Sequence, residues 1–223
     1  MSLPPEASSS TAPSARSRVR RRPERARYDA DTVAAILDSA LVCHIAFQWE
    51  GSVHALGTAH WREGEHLYIH GARASRMLKA LTAGQACVTV TQVDGLVFGR
   101  TPLHHSMNYR SVVAYGQFEL VEDEAEKAAR LEAFIERLAP GRWATLRPMN
   151  DKELAATAVL RLPLDEVSAK IRDYGVIDEE ADLSWPVWAG VVPLAQLRRP
   201  PVADAQSKVA EAPAGLGIVV PPV

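Results

Sequence analysis

What the chain has little of narrows its class before any motif is considered. Of its 223 residues only two are cysteine, Cys43 and Cys87, and both sit inside apolar runs, LVCHIAF and ACVTV. Two such thiols do not make a disulfide scaffold or a Cys-rich zinc site; they read as small buried side chains in a reducing cytoplasm. No apolar run approaches the roughly 18 residues of a membrane span, and the N-terminus shows no apolar core followed by a cleavage site. Neither a membrane span nor secretion is expected. GxGxxG, P-loop, HExxH and paired CxxC patterns are missing too, as is any internal repeat, so neither a doubly wound nucleotide fold nor a metal site is predicted.

Strong charge of either sign is also missing. The formal net charge is -2 at pH 7, which gives no reason to expect nucleic acid or an anionic membrane as the main partner. The distribution is uneven, because residues 1–27 hold seven arginines against Glu6 and Glu24, leaving the rest of the chain at -7. With 47% hydrophobic residues the chain suits one compact domain with flanking tails. Residues 1–26, rich in Ser, Pro and Arg, are predicted to be a disordered tail, and residues 198–223, rich in Pro and Ala, a second one. The domain is predicted to occupy residues 27–197.

Within it, Asp31 to Ala40 has apolar residues at helical spacing with Asp31 available as a cap. LVCHIAF, SVHALGTAHW and HLYIHGA follow as a predicted β-meander, separated by polar, Gly-containing QWEG and REGE. A helix is predicted from about Ser75 to Ala83. Strands ACVTVTQVD, LVFGR and SVVAYGQFELVED come next, with Asp94-Gly95 as a turn signal. Glu124 to Ala139 places Ala128, Leu131, Phe134, Ile135 and Leu138 on one helical stripe that ends at Pro140-Gly141. After a short helical stretch near Asp151, AATAVLRLPLDEVSAKI reads as one more strand with an exit turn at Pro163. The predicted class is mainly β: an antiparallel, Greek-key type barrel with helices attached.

Three clusters carry possible chemistry. The first is YIHGARASRMLKAL, Tyr68 to Leu81, a strand-to-helix junction where the free N–H groups and the helix dipole favour an anion. Ser75, Arg76 and Lys79 add a hydroxyl and two cations there; the plainer alternative is a helix capped by Ser75 with a solvated basic face. All seven histidines, His44, His54, His60, His66, His70, His104 and His105, lie in the strand-rich half, and His70, just before the Gly71-Ala72 bend, is the best placed to line a polar pocket. The second cluster is HHSMNYRS, His104 to Ser111, which offers donors, an aromatic face and a charge in place of ordinary turn residues. It reads either as a ligand contact or as a hydrogen-bonded connection. Ser106 as a nucleophile has no GxSxG elbow to support it. The third is the pair Trp185 and Trp188, anchors of a core or an interface, with Gly190 permitting close approach to a planar ligand.

Together GARASRMLKAL, HHSMNYRSVVAYG and WAGVVPL resemble the FMN-binding split barrel of the pyridoxamine 5'-phosphate oxidase superfamily, in particular its flavin-nucleotide-binding branch with nitroimidazole-resistance reductases. The resemblance spans roughly Asp29 to Leu197. It implies a homodimer with FMN in a groove shared by two subunits. It gives Ser75 and Arg76 the FMN phosphate; the oxidases carry a lysine next, where this chain has Met77, so a second cation falls to Lys79 or Arg73. By the same resemblance Gly57, Thr58 and Ala59 lie along the flavin ring and Trp188 packs near it. His70, Gly71, His105, Ser106 and Asn108 complete the implied cofactor contacts, and His70, His105 and Arg110 are the candidates for tuning the flavin or delivering protons. The chain ends in PLAQLRRPPV, without the oxidases' substrate-gripping arginine motif, so the resemblance does not extend to pyridoxamine phosphate oxidation.

The function expected from these readings is a cytoplasmic FMN-dependent oxidoreductase acting on a small organic substrate, with NAD(P)H as a possible electron donor. Its competitor is a non-catalytic flavin- or haem-binding module for storage or sensing, haem needing a free axial histidine. A third reading, nucleic-acid association through the Arg16 to Arg27 tail, predicts binding that weakens steeply with salt.

Overall fold

The computed structural model of the chain describes residues 11–209, 211–213 and 216. In chain order its elements are β1 (Ala26–Arg27), α1 (Ala30–Ser39), β2 (Val42–Trp49), β3 (Ser52–Ala59), β4 (Trp61–Glu63), β5 (His66–Ala72), α2 (Arg76–Ala83), β6 (Ala86–Phe98), β7 (Ser106–Gly116), β8 (Glu119–Leu120), α3 (Glu124–Leu138), α4 (Asp151–Ala156), β9 (Thr157–Pro163), β10 (Val167–Arg172) and β11 (Gly190–Pro193). The strands form two antiparallel sheets. One runs β1-β10-β7-β6-β2-β3, with β11 added to the far part of β6, and the other runs β4-β5-β9-β8. This is the mainly β split-barrel architecture with attached helices that the sequence predicts, although the ladders of the described residues do not close into one barrel.

Local chemistry explains most boundaries. The β2–β3 hairpin turns on Glu50 and Gly51, both at positive φ (50° and 79°), the two-residue geometry that matches strand twist. Helix α1 is capped by Asp29, not Asp31: its carboxylate accepts the Thr32 N–H at 2.8 Å, and that bond holds its pKa below the ordinary carboxylate value. Asn150 and Glu153 close a reciprocal capping box at α4.

The strand expectations need three corrections. The predicted meander is split, because β2 and β3 belong to the large sheet whereas β4 and β5 belong to the small one. Asp94-Gly95 is not a turn: β6 runs through it, and the register with β7 shifts between Val93 and Gly95. A bulge wins over a turn there because β7 and β11 hold the strand from both edges. The run around Pro163 is two strands, β9 and β10, with Pro163 ending the first.

Residues 11–26 also depart from the disordered tail predicted for 1–26; residues 1–10 lie outside the described residues. Ser17 is buried, Arg16 bonds Glu166 and lies 4.6 Å from the centre of the Tyr115 ring, and Val19 N–H donates to the Tyr28 hydroxyl at 2.9 Å. This segment is polar, but its polar groups find partners on β7 and at the β9–β10 connection.

Alternation along the strands sorts the core. Ile45 and Phe47 of β2, Leu67 and Ile69 of β5, Val88 and Val90 of β6, Val112 and Ala114 of β7, and Leu160 and Leu162 of β9 are buried in one cluster with Leu37 of α1 and Leu81 of α2. The other face of the small sheet is buried as well. There Trp61, Tyr68, Val121, Val159 and Leu131 of α3 form a second cluster, with Phe134 packed against it. Ile69, 0% exposed, is expected to destabilise the fold by about 2–5 kcal/mol when changed to Ala, whereas Leu56 on the edge strand, 48% exposed, costs about 1 kcal/mol or less. Urea unfolding of the two variants checks this, and equal losses would refute the assignment of inside and outside.

Candidate functional site

At the N-terminus of α2 the structure brings Ser75, Arg76 and Lys79 together. Ser75 occupies the cap position, but its side chain makes no capping bond. The hydroxyl is therefore free, while the backbone is fixed by Ser75 N–H to Ala72 C=O (2.8 Å) and Lys79 N–H to Ser75 C=O (3.2 Å). Arg76 and Lys79 are exposed and three positions apart, so they share one side of the helix. Among the described residues neither takes part in an ion pair. Leu78, Ala80 and Leu81 are buried and Met77 packs against the core, which is why this position holds no cation. Gly71 admits the helix: a Cβ there would lie 3.2 Å from Leu78 Cδ1.

Gly57, Thr58 and Ala59 lie on β3, the open edge of the large sheet, and β3 also contacts β5. Gly57 stands opposite His44 and is exposed, and a Cβ at Gly57 would meet the His44 ring at an ordinary 3.7 Å. Its value is thus access to the sheet face and not relief of crowding. His44, on that same open face, was not among the predicted site residues.

The second and third clusters meet at the far end of β6. His105 stands edge-on to Phe98 (centroids 5.6 Å, 79°), and Phe98 lies 5.9 Å from the Trp188 ring. His105 Nδ1 is 3.0 Å from the Thr101 carbonyl, so that nitrogen carries the proton and Nε2 is left free. Ser106 is exposed beside them and Trp188 is 64% exposed. Gly190 serves this arrangement differently from the expectation: a Cβ there would lie 2.8 Å from Trp188 Cζ2, so the glycine makes room for the chain's own indole. The loop is held by Asp178, which the sequence reading missed. Its covered carboxylate accepts from Arg100 N–H (3.1 Å), Arg100 Nη1 (2.9 Å) and His104 Nδ1 (3.0 Å). Burial opposes its ionisation, and these bonds outweigh burial, leaving its pKa below the ordinary value.

Other predicted residues are committed elsewhere. Arg110 is spent on Asp94 (2.9 and 2.8 Å) and Gln92 (2.9 Å), bracing the β6 bulge. Asn108 accepts from the buried Arg172. Arg73 lines a cleft with Lys127 and Thr157 between β5, β9 and α3. His70 does not face a polar pocket: Leu67 and Ile69 take the inner face of β5, so His70 points outward, 5.9 Å from the Trp61 ring and 4.8 Å from Phe134. Its Nδ1 is buried without a hydrogen-bond partner.

Along β6 the two ends are well separated in sequence register. Gly57 pairs with His44 and His44 with Thr89, nine residues before Phe98 on β6. That is about 30 Å of strand, more than a flavin ring system spans. Among the described residues no three His, Cys, Asp or Glu side chains form a group that could hold a metal ion, and no helix is long and apolar enough to cross a membrane.

The architecture is that of a flavin-type split barrel, and comparison agrees. The family model for pyridoxamine 5'-phosphate oxidase matches residues 29–171, and the chain belongs to that family. Among solved structures it is similar to the flavocytochrome Anf3 from Azotobacter vinelandii, with 40% identity, TM-score 0.88, and 95% of this chain and 97% of that one covered. It is also similar to the FAD and haem binding protein from Mycobacterium smegmatis, at 32% identity and TM-score 0.82, over 86% of this chain and 95% of that one. A putative 5-nitroimidazole antibiotic resistance protein from Bacteroides thetaiotaomicron shares the fold at 20% identity and TM-score 0.56, covering 66% of this chain and 86% of that one. No curated protein matches the chain.

His60 and His70 are both held neutral by burial. His60, buried, has Nε2 3.1 Å from the Leu37 carbonyl and Nδ1 without a partner; desolvation lowers its pKa to about 4. Desolvation lowers that of His70 as well. Above about pH 6.5 folded and unfolded states hold the same neutral ring, but below it the unfolded chain binds the proton first. Stability is therefore expected to fall as pH drops from about 6.5 towards 4. The contribution of His60 is a slope of up to about 1.4 kcal/mol per pH unit, and His60→Asn should remove it. Unfolding free energies of both proteins between pH 7 and 4.5 measure this; an identical slope in the variant would refute the account.

Proposed function

We propose that this chain is a flavin-dependent oxidoreductase that acts on a small organic substrate from a site shared by two copies. The observation that carries the reading is the α2 end, where an uncapped Ser75 hydroxyl and two unpaired cations, Arg76 and Lys79, converge on free helix N–H groups. A free hydroxyl, two cations and helix N–H groups are the donors that the phosphate of FMN, or of the FMN half of FAD, requires. Gly57, Thr58 and Ala59 offer backbone along an exposed sheet edge for the ring. The far cluster lies about 30 Å of strand away within one chain, so His105 and Trp188 reach such a ring only from a second copy. Exposed Val42, Val53 and Leu56 around β3 are consistent with a partner covering this region. When bound, a flavin supplies two-electron redox chemistry with a donor such as NAD(P)H. The chain's own part is to hold the phosphate, to exclude water with the Phe98, His105 and Trp188 cluster, and to move a proton at His105 Nε2.

A second reading adds haem, and two observations favour it. Two relatives above 30% identity are a flavocytochrome and an FAD and haem binding protein. In this chain His70 presents a buried, partnerless ring nitrogen between Trp61 and Phe134, and burial keeps the ring neutral, as an axial ligand must be. The aromatic surroundings fit an apolar prosthetic group.

The absorption spectrum of the purified protein, with mass spectrometry of what it releases on denaturation, tests both readings. Flavin bands that bleach on reduction are expected, the released mass separating FMN from FAD, and a Soret band lost in His70→Ala would establish haem. A colourless protein that takes up no added flavin overturns the oxidoreductase. Arg76→Ala is expected to weaken flavin binding about tenfold or more, and Arg73→Ala far less; equal retention overturns the phosphate assignment. A monomer by light scattering that still holds flavin overturns the shared site.

A further inference from the structure

We propose that the cleft between β5, β8, β9 and α3 is an anion-binding site, separate from the α2 end, in which Arg73 and Lys127 receive a phosphate or carboxylate group. The cleft has a volume of about 290 Å³ and is lined by Arg73, Glu122, Lys127 and Thr157 together with Leu120, Val121 and Ala158. Lys127 is only 4% exposed, yet among the described residues its ammonium group makes one hydrogen bond, from Nζ to the Leu154 carbonyl at 2.8 Å. An ammonium group has three donors, and a buried charge is costly unless it is paired. Among the described residues no carboxylate lies within ion-pair distance of it; Glu122 borders the cleft but forms no salt bridge.

Arg172, a cation of equal burial, is answered at both of its terminal nitrogens, although its Nε has no partner. Also 4% exposed, it donates to Asn108 Oδ1, the Tyr174 carbonyl at 2.7 Å and the Gly175 carbonyl at 3.0 Å, and it lies 4.1 Å from the centre of the Tyr174 ring. Lys127 has none of that company. Part of its role is to meet a carbonyl at the end of α4, but that bond uses one donor and leaves Arg73 unexplained. Arg73, exposed at the cleft's rim, has its backbone fixed there by its N–H to the Ala156 carbonyl at 2.8 Å. The Thr157 hydroxyl donates to the Glu153 carbonyl at 2.9 Å, so the two cations are the donors an incoming oxyanion meets. A single phosphate or carboxylate group fits the volume and answers both charges.

Thermal unfolding of the full chain with its bound cofactors tests the site, with sodium phosphate or sodium acetate titrated against sodium chloride at constant ionic strength. A saturable rise in the midpoint is expected. Response to phosphate assigns a phosphoryl group, response to acetate a carboxylate, and either supports the site. Arg73→Ala is expected to weaken the response about tenfold, while Arg76→Ala leaves it intact. No saturable rise in the parent protein overturns the proposal, as does a rise that survives in Arg73→Ala or disappears in Arg76→Ala, since the latter places the anion at the α2 end. Lys127→Met, if it folds, must also lose the response; if it does not fold, Arg73→Ala decides.

Discussion

Strand β6 and its bulge hold the two ends of the candidate site in a fixed relation. One edge of β6 pairs with β7 from Ala86↔Gly116 to Val97↔Ser106, while the other is divided between β2 at its start and β11 at its end. The extra residue at Asp94 would leave polar groups unanswered, but its carboxylate meets Arg110 and its carbonyl accepts the Leu194 N–H at 2.9 Å. Gly95 then lets β11 approach, since a Cβ would lie 3.0 Å from Val191 Cγ1 and 3.2 Å from the Val192 carbonyl. Residues on β3 and residues beside Phe98 are therefore fixed to opposite parts of one strand, and no loop movement brings them together. In the shared site proposed above, a flavin draws the two from different molecules.

The two sheets meet their second faces differently. The small sheet is covered by α3, so Tyr68 and Val159 are buried outward as thoroughly as Leu67 and Leu160 are inward. On the large sheet, the β7–β10 part lies close to the N-terminal segment, where Ser17, Ser168 and Arg172 are buried, while Val42 and Val53 near the open edge remain exposed. Each fully buried aliphatic side chain contributes about 1.5–3 kcal/mol, so leaving this stretch uncovered forgoes a gain that an adjoining surface would recover. The exposed stretch includes the strand edge that carries Gly57.

How much of this was legible in the sequence depended on the range of the interaction. The α2 junction was readable because a capping residue, cations at helical spacing and an apolar stripe all lie within a dozen residues. The mainly β class followed from alternation and turn residues in the same local way. His70 stands just before the Gly71-Ala72 bend, which pointed to a polar pocket, but the adjacent Leu67, Tyr68 and Ile69 signal burial on both faces of the strand. Arg110 looked free because its partner Asp94 is sixteen residues earlier and is brought beside it only by the β6–β7 register. Arg16 finds Glu166 across 150 positions, so no composition rule could have ordered that part of the tail. Lys127 lies on a helix whose predicted apolar stripe buries Leu131 and packs Phe134, but its own burial and its bond to α4 are tertiary facts.

The exposed and buried cations should treat anions differently. Arg76 and Lys79 stand in water, where two unit charges 4 Å apart attract by about 1 kcal/mol. Such groups cost little to leave unpaired and capture little alone, so a phosphate at α2 gains its hold from the serine hydroxyl, the helix N–H groups and whatever excludes water above them. Lys127 is in the reverse position. Lys127 is buried as a residue, and at an effective dielectric constant near 20 the same separation is worth about 4 kcal/mol. An oxyanion entering that cleft must shed its own hydration, but it meets a cation whose side chain is already packed on folding. The α2 end therefore requires an enclosing surface before it holds a ligand firmly, whereas the cleft sets exposed Arg73 beside a lysine that is already buried within one chain.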